Sequence, residues 1–211
     1  MNLGTIIHAP TRSARAFLTR WERHLAMLLL RGDFVRDGNG IIIGGIARAT
    51  GTFFHKLATE PEDALVADHN LLVDQGILKQ LGVMYYTDTK ISNWYLTLFS
   101  GSTAPAANLT AANFASTMSE ITSSTEGFSN ATRPQFVPAQ PAANVVNNLA
   151  AKAAFNIVAT TSIMVTGGAL ISDNTRGGTA GTLSSASQFS AGRELFNGET
   201  FELGYQIALT N

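Results

Sequence analysis

The sequence contains no cysteine. That absence excludes disulfides, zinc–thiolate and iron–sulfur sites and a cysteine nucleophile, and it leaves the redox compartment open. Charge is sparse as well: Asp, Glu, Lys and Arg make up 14% of the chain, against about 25% in an ordinary globular domain. Hydrophobic residues reach 45%, so the chain can bury a core and wholesale disorder is excluded. So little charge points to a surface partly covered by partners. The net charge of -1 argues against a nucleic-acid binder that is basic throughout.

Long apolar runs are missing too. Leu25–Leu30 and Ile41–Ile46 are the most apolar windows, and both fall far short of the roughly 20 residues that span a bilayer. No membrane span is expected. The first of these windows follows Arg12, Arg15, Arg20 and Arg23 and is stopped by Arg31, Gly32 and Asp33, which is not the order of a secretory signal. An acid-poor, arginine-bearing leader leaves an organellar transit segment as a minor alternative.

Catalytic signatures are absent. The sequence has no G-x-S-x-G, no Walker A loop, no H-E-x-x-H and no G-x-G-x-x-G. His8, His24, His55 and His69 have no partner three or four residues away, so spacing gives no metal site, and each reads as a surface or hydrogen-bonded histidine. Glu120 and Glu126, or Glu199 and Glu202, would serve a glycosidase only if folding brought a pair to about 5–10 Å; they read as solvated or turn carboxylates. No catalytic residue, metal ligand or cofactor is expected.

What is present is uneven. Residues 1–60 carry a net charge of +4 and residues 61–211 one of -5, a split that suggests a basic N-terminal arm on a separate body. After Pro10-Thr11, apolar residues recur at Phe17, Leu18, Trp21, Leu25, Leu28 and Leu29, the three-and-four spacing of a helix with one apolar face. Arg12, Arg15 and Arg23 fall opposite. Such a helix can pack on its own domain, dock on a neighbouring subunit, or lie on a membrane surface. Asp37-Gly38-Asn39-Gly40 is a turn signal, and Ile41, Ile42 and Ile43 open an extended, β-branched stretch reaching Phe54. If the arm contacts a partner, the candidate residues are Arg12, Arg15, Phe17, Arg20, Trp21, Arg23, Ile41, Ile42 and Ile43.

Further along, residues 65–84 show helical spacing, with Gly76 costing about 1 kcal/mol relative to Ala. Trp94–Phe99 is the strongest strand, and residues 108–121 suggest a short helix capped by Asn108 or Thr110. Residues 123–141 read as a long surface excursion with an extended piece at Phe136-Val137. The last third predicts strands at 153–159, 162–171, 181–189 and 200–209, with turns at Gly167-Gly168, Asp173–Gly178 and Asn197-Gly198. Phe201, Leu203, Tyr205, Ile207 and Leu209 alternate with other residues, so one face of that strand points inward. The expected fold is mainly β: an antiparallel β-sandwich or jelly-roll-like domain over 61–211, with a helical and extended arm over 1–60.

Several segments in order resemble structural proteins of tailed bacteriophages. They are residues 70–78 (NLLVDQGIL), 93–105 (NWYLTLFSGSTAP), 109–114 (LTAANF), 127–136 (GFSNATRPQF), 168–173 (GALISD), 189–193 (FSAGR) and 197–207 (NGETFELGYQI). The resemblance covers about residues 70–211 and leaves 1–69 untouched. It implies a non-enzymatic virion structural protein on the capsid exterior: a head decoration or cement protein that binds the major capsid protein or other virion proteins and self-associates, with neither membrane nor nucleic acid as partner. A tail, collar or fibre-base component is the alternative within the virion. A carbohydrate-binding β domain using Tyr85, Tyr86, Trp94 and Tyr95 is the alternative of another class, although Trp94 and Tyr95 lie in the strongest strand, where core burial is expected.

Overall fold

In a computed structural model, the described residues are 35–37, 40–42 and 48–210. They fall in two units, residues 48–210 forming the larger one. In the smaller unit, β1 (Val35–Asp37) and β2 (Gly40–Ile42) pair antiparallel, with Arg36 opposite Ile41 and Asp37 opposite Gly40. Of the positions predicted to turn, Gly38 and Asn39 lie outside the described residues.

The larger unit is an antiparallel β-sandwich. One sheet runs in the order β4 (Val66–His69), β3 (Arg48–Leu57), β13 (Thr200–Thr210), β10 (Ala153–Val158), β7 (Gly127–Phe128), and β9 (Val145–Asn147) also pairs with β13. The other runs β5 (Leu71–Leu72), β12 (Leu183–Phe196), β11 (Ser162–Ile171), β6 (Trp94–Phe99), β8 (Gln135–Phe136). Residues 48–57, grouped above with the arm, are thus the long strand β3, joined to β13 from Arg48–Thr210 to Leu57–Phe201.

The alternation read in the last strand places Phe201, Leu203 and Tyr205 in the core between the sheets, with Phe53, Leu96, Leu98, Phe128, Phe155, Val165 and Leu195. A second apolar cluster forms from Val73, Phe99, Leu109, Phe114, Met118, Ala169, Ile171, Leu183 and Ala186. It joins strands β6, β11 and β12 to helix α2 (Ala111–Met118). The second sheet therefore contributes to two apolar cores. Part of the charge deficit has this internal cause: β12 runs Leu183, Ser184, Ser185, Ala186, Ser187, all buried. Buried strands of this kind need small or apolar residues, not charges.

Helix α1 (Asp74–Tyr85) is shorter than the periodicity predicts, because residues 66–69 and 71–72 are strands β4 and β5. Sheet pairing with β3 and β12 overrides the local helical spacing there. Gly76 is tolerated for a packing reason: a Cβ there would lie 2.3 Å from the Ser184 carbonyl oxygen, so its absence lets the helix lie close on β12. Gly167-Gly168 is not a turn. Both sit inside β11, where a Cβ on Gly167 would meet the Phe99 ring at 2.1 Å. The strand predicted at 181–189 continues to Phe196.

The chain crosses between sheets at both sides of the sandwich. β4 and β5, successive in sequence, are the end strands of the two sheets on one side, and β7 and β8 hold the same positions on the other. Each crossing is fixed by buried polar groups, and these are where the chemistry-bearing side chains concentrate.

Candidate functional site

At the first crossing, β3 presents His55 and β4 presents Asp68. His55 Nε2 lies 2.9 Å from Asp68 Oδ2, and both residues are buried. The other oxygen, Oδ1, accepts the backbone N–H of Ser190 at 2.8 Å. That N–H is free because β12 bulges: the partner of Val165 is Arg193, but that of Gly167 is already Gln188. Residues 189–192 leave the ladder, and Asp68 takes up a donor the bulge releases. Phe189 stacks on the His55 ring at 4.0 Å. Burial lowers the His55 pKa below its ordinary value, outweighing the opposing pull of Asp68. The ring is held neutral. It has the partners of an acid–base dyad but is sealed from solvent, so it joins the sheets rather than meeting a substrate. Nearby, the Asn70 amide donates to Tyr205 Oη at 3.0 Å.

At the second crossing, Arg133 is wholly enclosed. Its Nε and Nη2 donate to Glu120 Oε1 and Oε2 at 2.7 and 2.8 Å, and its Nη1 donates to the Asp173 carbonyl at 2.8 Å. Glu120 also accepts from Thr97 Oγ1 at 2.6 Å and from the Gly177 N–H at 3.0 Å. Arg176 donates to the Phe128 carbonyl at 2.7 Å and lies over the Phe128 ring at 4.8 Å. The loop 173–178 is thereby tied to both sheets. Glu120 is not the solvated carboxylate expected above: it is the counter-ion of an arginine 13 residues away, and a separation set by folding leaves no local spacing signal.

The third feature is the outer face of α1. Ile77, Leu78, Leu81, Met84 and Tyr85 are all exposed, and so is Tyr86 just beyond the helix. Leu78 is 68% exposed and Tyr85 78%, values that separate this face from the buried Gly76 side. Beside the helix lies a cavity of ≈ 190 Å³ lined by Gly76, Lys79, Val83, Met84, Ile91 and Trp94. Ligand pockets are usually about 300–1,000 Å³, so this one suits a single side chain. Of the four aromatics named above, Trp94 and Tyr95 are half-buried, whereas Tyr85 and Tyr86 are open.

Of the interaction candidates, Arg12, Arg15, Phe17, Arg20, Trp21, Arg23 and Ile43 lie outside the described residues. Ile41 and Ile42 are in β2, opposite Arg36 and Val35. Among the described residues no group of three or more His, Asp and Glu could hold a metal ion. Among them, no helix is long and apolar enough to cross a membrane. No known protein family, curated protein or solved structure matches the chain.

Proposed function

We propose that the chain is a structural protein of a tailed-bacteriophage virion, acting as a decoration or cement protein that binds the major capsid protein and stabilises the head. The observation that carries this reading is the ordered motif series from residue 70. Its residues have defined positions in one sandwich: in NLLVDQGIL, Gln75 Oε1 accepts the N–H groups of Ala111 and Leu183 at 2.9 and 2.8 Å, and Gly76 permits the close approach to β12. In GFSNATRPQF, Arg133 fixes the second crossing. The titratable clusters described above tie strands and loops together, which suits a protein whose work is adhesion. Residues 1–47, carrying the basic excess, are the proposed clasp. Two contacts in one chain raise the effective concentration of the second once the first has formed.

The test is the chain's position and copy number in purified particles. Density on the outer shell at many equivalent positions, with a stoichiometry comparable to the shell subunit, is the expected result. A few copies at the neck or tail would replace it with the collar or fibre-base reading. Absence from particles, together with binding on a glycan array that is lost when Tyr85 and Tyr86 become Ala, would replace it with the carbohydrate-binding reading.

A further inference from the structure

The cavity beside α1 combines apolar walls with unequal lysines. Val83 and Met84 of the helix line it, together with Ile91 and Trp94 around the start of β6. Gly76, which lies against β12, lines it as well, whereas Ile77, Leu78, Leu81 and Tyr85 do not. The cavity therefore sits at the seam between helix and sheet, apart from most of the exposed stripe. Lys79 and Lys90 complete the rim. Lys79 Nζ lies 3.1 Å from Asp88 Oδ2, so its charge is met within the chain. Lys90 is exposed and pairs with no carboxylate among the described residues.

We propose that this cavity takes one large apolar side chain from an acidic peptide segment of another protein, with a carboxylate next to that side chain reaching Lys90. Three observations favour such an occupant. The volume of ≈ 190 Å³ lies below the usual range for free ligands, about 300–1,000 Å³, and matches a single side chain. Apolar walls that include an indole ring reward an apolar insert, an aromatic one above all. The unmet charge of Lys90 then selects what stands beside the insert. Lys79 and Asp88 cancel, which leaves the rim cationic on a body of net charge -5. At physiological ionic strength charges farther than about 8 Å are largely screened, so the rim rather than the whole body sets the preference. The inference goes beyond the virion reading and does not depend on it.

The experiment uses the full chain carrying Trp21→Phe. Only two tryptophans are present, so Trp94 alone then emits and reports on the cavity it lines. The probes are capped tripeptides: Glu-Phe-Glu, Glu-Ala-Glu and Lys-Phe-Lys. Glu-Phe-Glu is expected to shift the emission saturably at about millimolar concentration, as one seated side chain and one exposed ion pair allow. Glu-Ala-Glu should give no saturable shift. Lys-Phe-Lys should bind about threefold more weakly than Glu-Phe-Glu, and Lys90→Glu should reverse that order. Far-UV circular dichroism of this variant should be unchanged, because Lys90 is exposed. Val83→Phe puts bulk into the cavity and should abolish the shift.

An emission that Glu-Phe-Glu leaves unmoved at tens of millimolar overturns the proposal. So does a charge order that Lys90→Glu does not alter, or a shift that survives Val83→Phe in a folded chain. Phenylacetate binding more tightly than Glu-Phe-Glu would give the cavity to a free small acid and overturn the peptide assignment. None of these results bears on where the protein sits in a virion.

Discussion

Arg133 and Glu120 meet in a two-pronged ion pair, Nε to Oε1 at 2.7 Å and Nη2 to Oε2 at 2.8 Å, with both side chains shut off from solvent. Removing one member strands the other as a buried charge, which costs about 3–5 kcal/mol. For a domain of this size that corresponds to a fall in Tm of about 6–20 °C. Arg133→Met and Glu120→Leu should each fall in this range in thermal melts. The double variant should recover part of the loss, because no lone charge then remains inside. A double variant as unstable as the sum of the singles would mean that hydrogen bonds to Thr97, Asp173 and Gly177 dominate over the pair.

His55 gives the stability a pH slope. Its folded-state pKa is lowered by burial, whereas in the unfolded chain it returns to about 6.5. Below that value the unfolded state binds more protons than the folded one, so stability rises with pH. The contribution is complete above about pH 6.5 and is lost as pH falls through the lower folded value. Urea midpoints measured downward from pH 7.5 should therefore decline. His55→Gln keeps an amide donor for Asp68 without a titrating ring and should flatten this decline.

Gly76→Ala should destabilise, against its helix propensity. At an exposed helical position the change gains about 1 kcal/mol. Here the added methyl meets the main chain of Ser184 at 2.3–2.9 Å, and backbone cannot swing aside as a side chain can. A net loss of about 1–3 kcal/mol is expected, as for overpacked cores. An unchanged or raised denaturation midpoint would mean that α1 can lift off β12 at little cost.

The place of residues 48–60 predicts a sharp difference between two truncations. Deleting residues 1–47 leaves every strand of the sandwich, and the β signature in circular dichroism should persist. Deleting 1–60 removes β3, and with it Phe53 and His55 from the interior and the partner of β13 along its whole length. That product should be unfolded or aggregated.

The sequence made some of this legible and hid the rest, for physical reasons. Trp94–Phe99 and Ser162–Ile171 could be bounded to the residue because aromatic and β-branched content agrees with burial there. Helix α2 was signalled by Thr110 at its start, where Asn113 Oδ1 accepts the Thr110 N–H at 2.8 Å. By contrast, Leu71 and Leu72 sit in phase with the α1 periodicity but are claimed by β12, a partner more than a hundred residues away. The Gly167-Gly168 pair carries the composition of a turn; only the Phe99 ring lying across it reveals an interior strand. Glu120 and His55 looked ordinary because their partners are assembled by sheet crossings. The stripe on α1 was visible as periodicity, but periodicity alone does not say which apolar face remains open.

The four strands at the sides of the sandwich are brief, β5, β7 and β8 pairing over two residues and β4 over four. A foreign strand laid against any of them would gain few main-chain bonds before the chain turns away. Through these four strands a neighbouring body therefore finds little main chain to pair with, and contacts made there fall chiefly to side chains.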